Sequence, residues 1–273
     1  MGELGRKPNP TIVEAIKKWP AVRDLKDLQS FLGTTNYVRP HAGPAYARVA
    51  SPLRALLKPD AVFPPNEEQR AALEGLKLLV LEAHRLYVPD ERAAVEAAAA
   101  WNAGEAPRGR PYENGADTSK IAVGGVVGQC AENNGKLFVL LYFSAPLSPT
   151  QSIWIPLEQE FWGLLQLRRE EVKHLGRIPA VNHTDHGNIS RVDHLPLERV
   201  EAKHFRWHAE IVQGGSLLLY RVGTGALHMI PDGVSRNPVD RDLLILARIG
   251  EWAQHRSNIE WWNNHDVLHF WRL

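Results

Sequence analysis

From residue 110 the chain switches from helical spacing to an ordered series of short apolar runs and amphipathic stretches, which limits its fold more than any other feature. Three strand-like runs come first: Arg110 to Asp117, Ile121 to Gln129 and Leu137 to Ser144. Asn133-Asn134-Gly135 stands between the last two. It is a hairpin signal, because Asn and Gly accept the positive φ of tight turns. A helix is predicted from about Pro156 to Lys173, with proline suited to its first turn. There follow a strand at Ala180–Asp185, a helix near Arg199 to Val212, a strand at Ser216–Val222 and a short helix near Pro231. The order β-β-β-α-β-α-β-α predicts an α/β fold, a mixed sheet with helices packed on it.

The first ninety residues read as helical. Thr11-Ile-Val-Glu14 has the form of a capping box after Pro10. Asp24 opens a second helix with Leu25, Leu28 and Phe31 on one face and Gly33 suited to its C-terminal cap. Tyr46, Val49, Leu53, Leu56 and Leu57 continue an apolar stripe. After the break at Pro64-Pro65, Asn66 with Gln69 starts a helix carrying Leu73, Leu76, Leu79 and Val80. Residues 91–109 are alanine-rich and then broken by Gly104, Pro107 and Gly109, which reads as an insertion with one short exposed helix. The division expected is therefore a helical unit over 1–90, a linker over 91–109, an α/β domain over 110–238 and a tail over 239–273.

Composition narrows the function classes. No apolar run approaches a membrane span, and MGELGRKPNP has no apolar signal core. The single cysteine, Cys130, excludes an intramolecular disulfide and a thiolate zinc cluster, and fits an intracellular, reducing compartment. A net charge of +1 is lower than that of many dedicated nucleic-acid binders, but a near-neutral total also suits a nucleic-acid enzyme with acids gathered at a metal site.

Four acids fall at strand ends or in first helical turns. Asp117 ends the first strand, Glu160 lies early in the long helix, Asp185 ends the fourth strand, and Asp232 opens the last helix. If the first and fourth strands are parallel neighbours, Asp117 and Asp185 come side by side and Glu160 can reach them from the helix. Clustered carboxylates repel unless cations compensate them. Mg²⁺ favours a few carboxylates plus phosphate oxygens, and two ions about 3.5–4 Å apart can drive phosphodiester cleavage. Taken singly, each acid has a simpler explanation: Asp117 and Asp185 as turn residues, Glu160 and Asp232 as acids near helix N-termini. Spacing alone leaves both explanations standing. His183 and His186 flank Asp185 and read as partly exposed neighbours.

A resemblance favours the chemical explanation. The run from Val13 to Arg236 resembles the C-terminal part of the reverse transcriptase polyprotein of gypsy-class LTR retrotransposons, a thumb/connection region followed by ribonuclease H. LQSFLGTTNYVRPH and ASPLRALLK are similar to that family's stretch after the polymerase palm. GADTSKIAVGGVVGQ, YFSAPLSPTQSIWIPLEQEFWGLL, HTDHGNIS and LLLYRVGTGALHMIPDGVSR are similar, in order, to four ribonuclease H motifs. The resemblance implies a ribonuclease H-like five-stranded mixed sheet. It places the metal-binding carboxylates on Asp117, Glu160, Asp185 and Asp232. It further implies two Mg²⁺ or Mn²⁺ ions and cleavage of the RNA strand of an RNA–DNA hybrid. Lys203, Arg206, Arg221 and Arg236 are candidate phosphate contacts, each equally explained as surface charge, and His228 is a candidate substrate contact.

Departures accompany the likeness. There is no Tyr-x-Asp-Asp palm motif, so no polymerase activity is expected of this chain. The tail holds Trp252, Trp261, Trp262 and Trp271, which suit partner anchors or the protein's own core. This tail and the missing palm define an alternative: a catalytically idle, domesticated retroelement fragment serving as a structural subunit of a larger assembly.

Overall fold

The computed structural model describes residues 5–83, 85–105, 108–130, 137–184, 186–190, 192 and 201–220. Its centre is a five-stranded sheet built from β3 (Tyr112–Thr118), β4 (Ala122–Cys130), β5 (Leu137–Pro146), β6 (Ala180–Thr184) and β7 (Leu217–Tyr220). The order across the sheet is β5-β4-β3-β6-β7. β3–β4 and β4–β5 pair antiparallel, whereas β3–β6 and β6–β7 pair parallel. This is the mixed α/β architecture read from the sequence, with the first and fourth strands as parallel neighbours. β4 is buried along its whole length, as expected of a central strand covered on both faces.

Helix α7 (Pro156–Leu175) packs across one face of the sheet, with helix α9 (Ala202–Ile211) against it. Phe161, Leu164, Leu165 and Leu167 join Tyr112, Val123, Val127 and Leu141 in a single core. Each such buried side chain contributes roughly 1.5–3 kcal/mol relative to exposure. The expected hairpin at Asn133-Asn134-Gly135, the helix near Pro231 and the tail 239–273 lie outside the described residues.

The N-terminal unit has its own core. Helices α1 (Pro10–Lys17), α2 (Leu25–Val38) and α4 (Glu67–Leu81) enclose Ile16, Leu28, Phe31, Leu53, Leu56, Leu76 and Val80. Asn66 and Gln69 form the expected capping box, with both bonds at 2.9 Å. Two local expectations are corrected. The cap of α1 is Asn9, which accepts from the Thr11 amide at 2.9 Å, because Pro10 already occupies the first helical position. Gly33 does not end α2, since core contacts of Thr35 and Val38 carry the helix one turn further. A short pair, β1 (Gly5–Arg6) with β2 (Leu86–Tyr87), closes this unit. Ala47 donates its amide to Ser144 Oγ at 2.9 Å, and Arg54 donates to the Leu147 carbonyl at 3.2 Å, so the unit seats on the β5 edge.

The helix in the alanine-rich insertion is not an exposed one. α5 (Glu91–Asn102) buries Ala97, Ala98 and Trp101 against Val181, Leu217 and Leu219, on β6 and β7. Trp101 Nε1 donates to the Gly215 carbonyl at 2.7 Å. At its other end, Gln129 accepts from the Asp90 amide at 2.9 Å and donates to the Arg110 carbonyl at 2.7 Å. Alanine at the contact positions lets the helix lie close to the strands. The same composition that suggests an exposed helix therefore suits a tightly packed one.

Candidate active site

β3 occupies the middle of the sheet and ends in Asp117-Thr118, so whatever it presents is fixed by neighbours on both sides. Gly124 is the β4 residue paired with Asp117. The approach of α7 depends on Gly163. A Cβ there would meet Thr118 Oγ1 at 2.4 Å and Val123 Cγ1 at 3.1 Å. Gly125 likewise makes room for Leu167, whose methyls lie 3.1 Å from the position a Cβ would take. With the helix this close, Thr118 Oγ1 donates to the Gln159 carbonyl at 3.2 Å. The Thr118 amide donates to Glu160 Oε1, also at 3.2 Å. The Glu160 carboxylate thus sits on the peptide that follows Asp117. Both acids are half-buried, open enough for an ion or phosphate to reach.

Of the four sequence-predicted acids, the structure places Glu160 against the peptide that follows Asp117. Asp185 and Asp232 lie outside the described residues, as do Arg221, Arg236 and His228. Among the described residues no group of three His, Cys, Asp or Glu side chains is close enough to hold a metal. The two acids near each other are hard oxygen donors of the kind Mg²⁺ and Mn²⁺ take.

The remaining predicted contacts differ from one another. Lys203 is engaged: its Nζ lies 2.6 Å from Glu158 Oε1 and 3.1 Å from Glu201 Oε2. The bond to Glu158 raises its pKa above the ordinary lysine value. Arg206, on the same helix, is exposed. Glu158 is buried and also meets His204 Nε2 at 3.4 Å, beside the Phe161 and Trp207 rings. His183 is not a partly exposed neighbour. It is buried, 3.4 Å from Glu113 Oε2, because it points from β6 toward the face that α5 helps to cover.

The residues missed from sequence lie one level deeper. Arg168, Glu171, Asn114 and Asn182 form a buried polar group between α7 and strands β3 and β6. A signal existed: Leu164, Leu167, Arg168, Glu171 and Leu175 share one helical stripe, and two of the five are charged. Charged residues are almost never fully buried unless paired.

Residues 109–213 match the RNase H-like domain found in reverse transcriptase. The retrovirus-related Pol polyprotein from transposon opus of Drosophila melanogaster is 26% identical over 249 residues, covering 86% of this chain and 22% of the relative. The transposon Tf2-3 polyprotein of Schizosaccharomyces pombe is 24% identical over 252 residues, covering 89% and 17%. The chain thus spans about a fifth of the length of these curated relatives. The foamy viral protease-reverse transcriptase in complex with RNA/DNA hybrid has a similar fold, with a TM-score of 0.63 at 17% identity over 83% of this chain and 29% of that one. Its complex with dsDNA matches at a TM-score of 0.63 and 17% identity, over 81% and 43%. The α/β part of this chain has an RNase H-like fold and is similar to the RNase H-like domain found in reverse transcriptase, and the curated relatives it matches are retrotransposon Pol polyproteins.

Proposed function

We propose that this chain is a ribonuclease H that hydrolyses the RNA strand of RNA–DNA hybrids, derived from a gypsy-class reverse transcriptase. Residues 1–90 then correspond to a thumb/connection-like unit and 110–238 to the nuclease. The observation that carries the reading is the bond from the Thr118 amide to Glu160 Oε1. It brings a helix carboxylate to the end of the central strand, at the peptide that follows Asp117. Two carboxylates at one strand end, half-buried and hard in character, fit Mg²⁺ or Mn²⁺. Asp185 and Asp232 complete the set in this proposal. Asp185 follows the last residue of β6, and it is separated in sequence from Asp117 by the same offset that pairs Gly115 with His183.

When bound, two divalent ions supply an activated water and a counter-charge for the leaving 3′ oxygen. The chain's own residues set up the geometry. Asp117 offers its carboxylate from a strand that cannot shift without disturbing two neighbours. Glu160 is aimed by the Thr118 amide. Arg206 is exposed on α9 and suits a phosphate contact, whereas Lys203 must leave Glu158 to make one.

Labelled RNA–DNA hybrid incubated with the protein and Mg²⁺ tests the proposal. Cleavage confined to the RNA strand, removed by chelator and by Asp117→Asn, is expected. An intact hybrid would transfer weight to the structural-subunit alternative.

A further inference from the structure

A second set of polar side chains lies deeper between α7 and the sheet, and it joins α7 to β3 and β6. On α7, Arg168 and Glu171 form a buried ion pair at 2.6 Å, with side chains 5% and 0% exposed. Glu171 also accepts from Asn114 Nδ2 on β3. The same Nδ2 donates to Asn182 Oδ1 on β6 at 2.9 Å, and Asn182 Nδ2 donates to the Leu217 carbonyl of β7 at 3.0 Å. Both amide orientations are settled by these bonds, since only a nitrogen can serve Glu171 and Asn182 together. Arg168 Nη2 adds bonds to the Ile178 carbonyl and Ser216 Oγ, each at 3.1 Å, and Ser216 Oγ accepts from the Ala180 amide at 3.1 Å. On the opposite face, Glu113 and His183 pair the same two strands one residue earlier and one later.

The placement is specific. Asn114 precedes Asp117 by three residues, Asn182 precedes Asp185 by three, and Glu171 lies eleven residues, about three turns, beyond Glu160 on α7. A register slip of one residue in a strand sends every side chain to the wrong face. Apolar packing alone penalises a slip weakly here, because β6 and β7 are short. Each member of the network, by contrast, has a partner outside its own element, so a slip or a helix translation leaves a buried charge or amide unpaired, which is costly.

We propose that Asn114, Arg168, Glu171 and Asn182 are positioning residues for the carboxylate site: they hold α7, β3 and β6 in the one register that brings the Glu160 carboxylate to the peptide that follows Asp117. This rests on the metal-site reading of those acids. The network touches neither ion nor substrate. It acts on metal affinity by limiting how far the carboxylates stray, and loose support of this kind is costly for a site built from separate elements.

The test replaces the ion pair by apolar residues, Arg168→Met with Glu171→Leu, in the full chain. Such replacement often leaves stability unchanged or raised, so the fold is expected to persist. Mn²⁺ binding by calorimetry is the first readout, with Asp117→Asn as the control that locates the ion. Wild type is expected to bind Mn²⁺ with an affinity that Asp117→Asn lowers sharply. The folded double variant is expected to bind Mn²⁺ at least about tenfold more weakly, the size seen when outer partners of metal ligands are lost. Hybrid affinity without divalent ions should change less than twofold. Asn182→Ala, a milder change, should weaken Mn²⁺ in the same direction. A folded double variant with wild-type Mn²⁺ affinity overturns the positioning role. Mn²⁺ binding by wild type without hybrid cleavage defeats the nuclease reading alone, and the variant comparison still decides positioning. Wild type that binds no Mn²⁺, or binds it equally with Asp117→Asn, overturns both.

Discussion

Helix α7 carries two glutamates on the sheet side, about three turns apart, and their surroundings differ as much as two carboxylates in one helix can. Glu171 is buried, paired with the Arg168 guanidinium and bonded to Asn114. Burial pushes its pKa up, and the arginine and asparagine partly offset this. Glu160 is half-buried and rests on the backbone amide after Asp117. Glu171 has its counter-charge built into the protein; Glu160 stands where a solvent-borne cation can supply one. The same side chain on the same helix is thus a fastening at one level and a candidate ligand at the next. Depth and neighbours make the difference.

The sharpest way to break this comparison is to remove Glu171. Glu171→Ala strands the Arg168 guanidinium in the core and should cost about 3–5 kcal/mol in chemical denaturation. Glu160→Ala should change stability by less than about 1 kcal/mol, as partly exposed sites do. Equal losses would erase the distinction.

Gly163 comes next. Gly163→Val drives methyl groups into Thr118 and Val123 and should cost about 1–3 kcal/mol. It should also lift Glu160 off β3, so hybrid cleavage should fall by more than the lost stability explains. Cleavage that simply follows the folded fraction would show that close approach of α7 is irrelevant to the site.

The two glutamates should also differ in pH response. A carboxyl whose folded pKa is raised holds its proton more tightly in the folded chain than in the unfolded one. The stabilisation from Glu171 is therefore fully present below its ordinary value of 4.5 and is lost as pH rises through the raised folded value. Arg168 on α7 and Tyr112 and Asn114 on β3 face it. Denaturation midpoints from acid to neutral pH should show this downward contribution in wild type and not in Glu171→Gln.

The smallest effect concerns Lys203. Its ion pair joins a half-exposed ammonium to the buried Glu158 carboxylate, beside which His204 remains, so Lys203→Met should cost about 1 kcal/mol. If Lys203 stays with Glu158, the salt slope of hybrid binding is unchanged. A slope reduced by about one would show that it leaves Glu158 for a phosphate.

The features legible in the sequence are those with a period or a fixed local chemistry. The strand runs from 110 to 144 and the α7 stripe are periodic, and Asn66 with Gln69 is a self-contained cap. Parallel pairing of β3 with β6 stood in the sequence as a condition for bringing Asp117 near Asp185, and the sheet meets that condition. The illegible features depend on a partner distant in sequence. Nothing local to Asn114 announces Glu171, fifty-seven residues away. The alanines of α5 announce a helix but not that Trp101 will reach Gly215. His183 reads as polar and solvent-facing until Glu113 and the α5 side of the sheet enclose it. Pro10 displaces the cap of α1 from Thr11 to Asn9, a local rule that outranked a local motif.

The central claim is that Glu160 and Asp117 share a cation-dependent site, and the most direct measurement is Mg²⁺-dependent cleavage of an RNA–DNA hybrid by wild type beside Glu160→Gln and Asp117→Asn. The account expects wild type to cut the RNA strand and both folded variants to lose at least about a hundredfold in rate, roughly 2.7 kcal/mol of barrier. Cleavage at the wild-type rate by either folded variant contradicts it.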